Sequence, residues 1–394
     1  MKTLVELYDK EPIENILSSC IFEPDYVVYL CDVADSSMRK ERAVYRLLQR
    51  RKMKTLPRFY YVDTSNPSAI QRAFSAIIRD WPQCVFDLTG GKDLVLLCAG
   101  AFCECKQIPC YYIDAFHGRF ISIQKCEDIK EKFCMPKLKA EDILGAAGAG
   151  ILGYGHFPLS LIDEEFEQDV FKVWDCIMQG PCRWGSVAGY FQAIFKNTDD
   201  TTLHYHMPIT IASCTQTNIQ ADKRMMKKLA QIDILQDFHT DDQWIDFRIK
   251  NSLIKKCLSN HGIWLELYGY LCAKQTNWFD DVRTSLLIDW DGENKRDGTR
   301  NEVDIFLVKG TIPLFISCKM GAPTALALSE IKMLSGKFGG ENAKIILLTA
   351  SAVKAENHVL ATRAKDMGII LLDRGDLGQK DLGQRFIKIA QTRF

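Results

Sequence analysis

Two short stretches in the last quarter of the chain carry residue types that suit phosphodiester cleavage. The first reads Asn-Glu-Val-Asp-Ile-Phe-Leu over 301–307 and contains Asp304. The second reads Pro-Leu-Phe-Ile-Ser-Cys-Lys over 313–319 and ends at Lys319. Both are apolar enough for buried strands, and Lys309-Gly310-Thr311 can turn between them. Such a hairpin would bring a carboxylate that holds a hard cation close to an ammonium that steadies a water or a phosphate. Asp304 alone could equally be a structural acid at a strand edge.

A further acid, Glu266, falls in a predicted helix over 251–273. The apolar residues of this helix recur at roughly helical spacing: Leu253, Ile254, Cys257, Leu258, Leu265 and Leu267. An uncompensated charge among apolar neighbours is costly, so we expect Glu266 to face inwards and to act with Asp304 and Lys319. The alternative is a salt-bridged residue at the surface.

This order of a helical acid, a strand acid and a lysine resembles restriction-endonuclease-like cores of the PD-(D/E)xK type. In that family an Asp or Glu stands two residues before the lysine, whereas this chain has Ser317. A serine hydroxyl is a poor ligand for Mg²⁺ or Mn²⁺, so Glu330, on a predicted helix at 325–337, and the carbonyl of Cys318 become candidate metal ligands. Glu330 could instead be an exposed carboxylate that pairs with a nearby lysine.

Length and composition fit an intracellular chain of two or three domains. The chain has 394 residues, 47% of them hydrophobic, and its 50 basic and 50 acidic residues cancel. Any contact with nucleic acid must therefore depend on local basic patches. The 15 cysteines mostly stand singly in apolar runs, and neither a signal peptide nor an apolar run of membrane-spanning length is evident. These features predict a reduced, cytoplasmic protein without a membrane partner.

The first 125 residues alternate strand and helix. Predicted strands lie at 3–7, 26–31, 59–62, 84–88 and 111–113, and predicted helices at 12–20, 38–50, 67–80 and 92–105. The strand segments are continuously apolar, as in a parallel sheet that is covered on both faces. We therefore expect a doubly wound, Rossmann-like domain, which binds ligands at the carboxyl ends of its strands.

Polar residues follow three of these strands. Asp9 and Lys10 follow the first, Ser36 lies in the loop after the second, and Asp-Leu-Thr-Gly-Gly-Lys over 87–92 follows the fourth. In this last turn Gly90 and Gly91 permit close backbone approach, the next helix offers free N–H groups, and Thr89 and Lys92 add a hydroxyl and a cation. The alternative is a tight strand-to-helix turn with no ligand, and neither dinucleotide nor Walker spacing is present.

The middle of the chain is winged-helix-like in its predicted order. Helices are expected at 163–178 and 184–196, and a strand pair over 201–213. His204 and His206 on that strand could form a metal pair, although a surface pair is the simpler interpretation. The predicted domains are 1–145, 146–245 and 246–394, with the glycine-rich segment 145–155 as a hinge.

The turn at 87–92 resembles the CARF sensors of type III CRISPR defence. The whole chain resembles their ancillary nucleases, in which such a sensor is fused to a PD-(D/E)xK core. This resemblance implies a homodimer whose allosteric ligand is a cyclic oligoadenylate, in particular cyclic tetra-adenylate. It matches Thr89, Gly90, Gly91 and Lys92 to the ligand turn, and Glu266, Asp304 and Lys319 to a nuclease site that uses Mn²⁺ or Mg²⁺.

Three functions compete at this point. The first is a ligand-activated, metal-dependent endonuclease that cleaves DNA or RNA. The second is a ligand-responsive DNA-binding regulator in which Ser317 leaves the nuclease core inert. The third is an enzyme that degrades its own cyclic ligand at the sensor. The presence of Glu266, Asp304 and Lys319 together favours the endonuclease.

Overall fold

The computed structural model describes residues 3–9, 13–35, 38–126, 135–155, 159–212, 218–293, 300–378 and 381–392. Two compact units make up the chain. The first comprises Met1–Gly153, Trp278–Phe315 and Ile331–Lys344, and the second comprises Tyr154–Asn277, Ile316–Glu330 and Ile345–Phe394. Lys10 and Ser36, two of the candidate ligand residues, lie outside the described residues.

A six-stranded sheet forms the amino-terminal part of the first unit. Its strands are β1 (Thr3–Leu7), β2 (Tyr26–Asp32), β3 (Leu56–Val62), β4 (Cys84–Asp87), β5 (Cys110–Asp114) and β6 (Arg119–Gln124). Their order is β3-β2-β1-β4-β5-β6, and all are parallel except β6, which runs antiparallel to β5. The sequence analysis did not predict β6, which is an edge strand with four exposed and two half-buried residues and therefore lacks a buried apolar run.

Helices cover both faces of this sheet, which explains why its inner strands β1, β2, β4 and β5 are largely buried. They are α1 (Glu14–Phe22), α2 (Met38–Arg50), α3 (Pro67–Asp80) and α4 (Asp93–Lys106), with a 3₁₀ turn at Val33–Asp35 and a short helix α5 (Ala140–Ala146) further along. Phe74 of α3 and Phe102 of α4 pack in one core, whereas Leu17 of α1 and Leu48 of α2 pack in the other. The doubly wound architecture is confirmed.

The winged-helix-like region belongs to the second unit. It contains α6 (Glu164–Met178), α7 (Pro181–Phe195), β8 (His204–Pro208), β9 (Thr210–Ala212), β10 (Asn218–Gln220), α8 (Lys223–Gln231), β11 (Leu235–Thr240) and β12 (Trp244–Ile249), after a 3₁₀ turn at Leu159–Leu161. The expected strand pair over 201–213 is wrong. β8 instead pairs with β12 in a sheet of order β11-β12-β8, because buried Tyr205 of β8 packs on Phe247 of β12. β9 pairs with β10 in a separate two-stranded sheet.

The predicted single helix at 251–273 is two helices. α9 (Ser252–Leu258) and α10 (Ile263–Gln275) are separated by four residues. Asn260 causes the break, since its side-chain Oδ1 accepts hydrogen bonds from the backbone N–H groups of Gly262, at 3.0 Å, and Ile263, at 3.3 Å. An asparagine that bonds nearby backbone amides begins a new helix rather than continuing the old one.

A second six-stranded sheet has the order β17-β16-β15-β14-β13-β7. Its strands are β7 (Gly150–Tyr154), β13 (Asp281–Asp289), β14 (Arg300–Lys309), β15 (Ile312–Lys319), β16 (Lys344–Thr349) and β17 (Ile369–Leu372). The associated helices are α11 (Ala325–Phe338), α12 (Val353–Glu356), α13 (His358–Asp366), α14 (Arg374–Leu377) and α15 (Leu382–Gln391). The hairpin of β14 and β15 turns at Gly310, whose φ is +55°. The segment expected as a hinge instead holds the end of α5 and edge strand β7.

Candidate functional site

The turn at 88–92 connects β4 to α4 and lies beside the end of β1. Gly91 has φ +128°, and a Cβ atom there would lie 2.9 Å from the Cβ of Leu7. Glycine is therefore required at this position. The backbone N–H of Gly91 donates to Oδ2 of Asp9 at 3.0 Å, so the carboxylate after β1 holds the turn against the sheet.

The hydroxyl of Thr89 both donates and accepts a hydrogen bond, which fixes this side chain. Its Oγ1 donates to Oδ1 of Asp87 and accepts from the backbone N–H of Ile113 at 2.9 Å, and its own N–H donates to Asp87 at 2.7 Å. The amides of Thr89 and Gly91 are thus already hydrogen bonded to carboxylates. A phosphate could reach Gly91 only by displacing Asp9.

Lys92 connects the ends of three strands. Its Nζ donates to Oδ2 of Asp32, at the end of β2, and to Oγ1 of Thr64, just after β3, at 3.2 Å. Thr64 also donates to Asp32. The hydrogen bonds from Lys92 and Thr64 lower the pKa of Asp32 to about 2. Sequence reasoning missed Asp32 and Thr64 as site residues, although the position of Asp32 at a strand end was a usable signal.

Two buried acids lie under the turn on neighbouring strands. Glu6 of β1 is in register with Asp87 of β4. Burial raises the pKa of Asp87 to about 6, and burial next to the Asp87 charge raises the pKa of Glu6 well above its ordinary value. Ser18 of α1 donates to the second oxygen of Asp87. The base of the turn therefore holds two neighbouring buried acids.

One candidate nuclease residue, Asp304, lies in the first unit. It is half-buried in the middle of β14, and its backbone carbonyl accepts a hydrogen bond from Oγ1 of Thr284 on β13 at 3.1 Å. Asp304 thus stands on a paired interior strand, as the sequence predicted. Phe306 on the same strand packs edge-on against Phe315 of β15, with ring centroids 4.9 Å apart.

The other candidates lie in the second unit. Glu266 is buried in the first turn of α10. Ser317, Cys318 and Lys319 end β15, and the carbonyl of Lys319 accepts from the N–H of Ala350 at 3.1 Å, which ties this end of β15 to the residue after β16. Glu330 is exposed on α11. Strand order places β14 and β15 side by side.

The donor chemistry of these residues suits a hard cation, because carboxylate and carbonyl oxygens are the ligands that Mg²⁺ and Mn²⁺ take in proteins. Across the described part of the chain, however, no group of three or more His, Cys, Asp or Glu side chains is arranged to hold a metal ion. His204 and His206 instead share Asp246, at 3.0 and 3.1 Å. A shared carboxylate, Asp246 on β12, therefore accounts for the two neighbouring histidines. The sequence alone could not place this partner.

Two negative observations bear on the setting of the protein. None of the described helices combines the length and the apolar character needed to cross a membrane. Every cysteine among the described residues is free, from Cys20 to Cys318.

A doubly wound sheet, a winged-helix-like region and a mixed sheet with an acid-and-lysine hairpin make up the fold of the chain. Solved structures share this fold. Protein VC1899 from Vibrio cholerae matches with a TM-score of 0.77 at 16% identity over 99% of this chain and 98% of that one.

Can2 from Sulfobacillus thermosulfidooxidans, solved in complex with cyclic tetra-adenylate, matches with a TM-score of 0.69 at 15% identity over 99% of both chains. At these identities the likeness is one of fold, and the fold implied by the sequence resemblance is confirmed along the chain. No family model matches the sequence, and no curated protein matches it.

Proposed function

We propose that this protein is a nuclease of type III CRISPR defence that cyclic tetra-adenylate activates. The observation that carries the proposal is the likeness of fold, over 99% of the chain, to a protein solved with that ligand bound. The polar turn at 88–92 lies at the strand ends where a doubly wound sheet binds ligands. Lys92, which already binds the Asp32 carboxylate, is the cation nearest this turn in the sequence.

The ligand site is built from the turn and its neighbours. Thr89, Gly90, Gly91 and Lys92 form its centre, and Asp9, Lys10 and Ser36 come from adjoining strand ends. When the ligand binds, the carboxylate of Asp9 releases the N–H of Gly91. The ammonium of Lys92 releases Asp32 and binds a phosphate in its place. A homodimer supplies two such sites about a two-fold axis, as a cyclic ligand with repeated phosphates requires.

The effector is a metal-dependent endonuclease site. Glu266 and Asp304 would hold Mn²⁺ or Mg²⁺, with the Cys318 carbonyl and Glu330 as additional ligands, and the metal would supply activation of water and neutralisation of phosphate charge. Lys319 orients the phosphate or the water. Ser317 lies where an acid would add a further ligand, which predicts weak metal binding. The free cysteines accord with a reducing, cytoplasmic setting.

A specific observation favours a second function, that of a DNA-binding regulator. Arg224 and Lys227 are exposed on α8, the helix that precedes β11 and β12 in the winged-helix-like region. In related folds such a helix contacts DNA. A regulator would bind duplex DNA in response to the ligand without cutting it.

One assay separates these functions. Labelled single- and double-stranded DNA and RNA are incubated with the protein and Mn²⁺, with and without cyclic tetra-adenylate. We expect cleavage that needs both additions, and its loss with a chelator or in Asp304→Asn. Ligand-dependent duplex binding without cleavage would favour the regulator, and loss of the cyclic ligand itself would favour a ligand-degrading enzyme.

A further inference from the structure

A cavity of about 540 Å³ in the first unit is lined almost entirely by charged side chains. Its cations come from the end of α2, the segment before α5, and β13: Arg50, Arg51, Lys137, Lys139 and Arg283. Its two acids are Glu141 and Asp142, at the start of α5. Five positive charges against two negative leave a surplus of three, in a chain whose net charge is zero.

The arginines form the fixed wall of this cavity. Arg51 pairs with Asp142 at 2.9 Å, and Arg50 donates to the backbone carbonyl of Glu141. Arg283 pairs with Asp281 at 2.8 Å and lies 3.5 Å from Glu141. Even when Asp281, beside the cavity, is counted with the acids, the surplus remains two positive charges.

The surplus charge resides on two lysines. Lys137 and Lys139 are both exposed, and within the described ranges neither has an ion-pair partner. Their backbone is nevertheless ordered by its neighbours: Leu138, between them, is buried, and the N–H of Lys139 donates to Asp142 at 3.0 Å. Two lysines thus lie beside a wall of arginines, with no ion-pair partner in the part of the chain that the structure describes.

The cavity lies next to the strand that carries Asp304. Arg283 is opposite Phe306 in the antiparallel pair of β13 and β14. Opposite residues point to the same face of a sheet, and so do residues two apart on one strand. Arg283 and Asp304 therefore share a face of the sheet, and the regular pairing is interrupted close by at Ser285, whose φ is +49°.

We propose that this cavity binds the phosphodiester backbone of a nucleic-acid strand. The inference rests on the proposed nuclease function and adds a substrate site to it. Backbone phosphates are bound by arginine and lysine without regard to base, and such contacts set the register of a strand. A phosphate held by Lys137, Lys139 and Arg283 would bring the next part of the same strand along the face of the sheet towards Asp304.

Binding is tested with the full-length protein and fluorescent oligonucleotides, in EDTA to prevent cleavage. Anisotropy gives the affinity of single-stranded RNA, single-stranded DNA and duplex DNA, with and without cyclic tetra-adenylate, at several salt concentrations. For Lys137→Gln/Lys139→Gln we expect roughly tenfold weaker binding at about 0.1 M salt. The slope of log affinity against log salt should shrink by about 1.4–1.8, which is two contacts at about 0.7–0.9 each.

The matched control is Lys365→Gln/Lys388→Gln, which removes the same two charges from exposed positions of α13 and α15. We expect it to bind like the wild type. Arg283→Gln is a second test of the cavity, and thermal unfolding shows whether any variant is misfolded. Equal affinity and salt slope for the cavity pair and the control pair would overturn the inference, as would a wild type that binds no strand at all.

Two further outcomes keep this inference apart from the proposed function. Strand binding that needs the two lysines, in a protein that cuts nothing with Mn²⁺, would support the cavity and refute the nuclease. Cleavage of nucleic acid, together with a strand affinity that the lysine substitutions do not change, would support the nuclease and refute the cavity. Inorganic pyrophosphate is titrated in parallel, because tight binding of it that the lysine pair abolishes, with unchanged strand affinity, would assign the cavity to a small phosphate compound instead.

Discussion

Lys92 and Asp32 form an ion pair across the carboxyl ends of β4 and β2, although 60 residues separate them in sequence. The carboxylate of Asp32 is largely buried and also accepts from Thr64. The turn proposed to bind the ligand is therefore closed by a side-chain contact that a phosphate could replace, since both Asp32 and a phosphate are anions that suit an ammonium. This exchange makes the pair a direct test of the sensor.

Lys92→Ala should weaken the binding of cyclic tetra-adenylate by about tenfold or more, because it removes a charge-assisted contact to phosphate. Titration calorimetry measures this, with Lys54→Ala as a control at an exposed lysine. Asp32→Asn, which releases Lys92 from its partner, should bind at least as tightly as the wild type. Unchanged affinity in Lys92→Ala would show that the turn only shapes the fold.

Gly91→Ala should destabilise the first unit rather than act on ligand binding alone. A methyl group at φ +128° is strained and would lie 2.9 Å from Leu7 Cβ, so we expect a loss of about 1–3 kcal/mol in unfolding free energy. Gly100→Ala is the matched control. Its added Cβ meets no atom within 4 Å, and alanine favours the helix. Equal thermal midpoints in the two variants would contradict the strain.

Glu6→Gln should stabilise the protein increasingly as pH rises. In the folded protein the pKa of Asp87 is raised from its ordinary value of 3.8 to about 6. The contribution of Asp87 to stability is therefore complete below pH 3.8 and is lost as pH rises through about 6. The difference between these two pKa values of Asp87 corresponds to about 3 kcal/mol of unfolding free energy. Burial also raises the pKa of Glu6 well above its ordinary value of 4.5, so Glu6 itself costs stability as pH rises, and glutamine, which does not ionise, removes that cost. Thermal midpoints should coincide near pH 4 and diverge by a few degrees at pH 8.

The control for that series is Glu104→Gln, an exposed acid on α4, whose midpoint should follow the wild type at each pH. A gain in Glu6→Gln that is the same at pH 4 and pH 8 would mean that the buried pair does not titrate in this range.

Asp304→Asn should lower the rate of nucleic-acid cleavage by more than about 100-fold, which is about 3 kcal/mol of barrier. The amide keeps the shape of the side chain and removes the charge that would hold a cation. Glu302→Gln on the same strand, at an exposed position, serves as the control. A wild-type rate in Asp304→Asn, on the best substrate, would refute the assignment.

Ser317→Glu should lower the Mn²⁺ concentration needed for half-maximal cleavage, because it adds an anionic ligand beside Lys319. Ser317→Gln has a similar size without the charge and should show no such gain. If Glu330 is a ligand, Glu330→Gln should raise the metal requirement and Ser317→Glu should restore part of it. A silent Glu330→Gln at limiting Mn²⁺ would leave Glu330 as the exposed surface residue that α11 presents.

Local pattern was sufficient for the parallel strands and for the hairpin, although not for β6 or for the break between α9 and α10. Continuous apolar runs predicted the parallel strands of the amino-terminal sheet, and the glycine at 310 predicted the hairpin that carries Asp304. Both signals are short-range, because a strand's burial and a turn's φ depend on neighbouring residues. The break at Asn260 was local too, and it was missed because its apolar flanks outweighed one asparagine.

The contacts between distant residues were decided by tertiary structure. Sheet order alone brings Asp32 and Thr64 to Lys92, and the packing of α5 brings Glu141 to Arg283 across 142 positions. Neither pairing leaves a trace in local sequence, since many strand orders are compatible with the same apolar runs. The sequence by itself determined the parallel strands of the amino-terminal sheet and the turn at Gly310, whereas the fold decided the edge strand β6 and which charges meet, because these depend on long-range pairing.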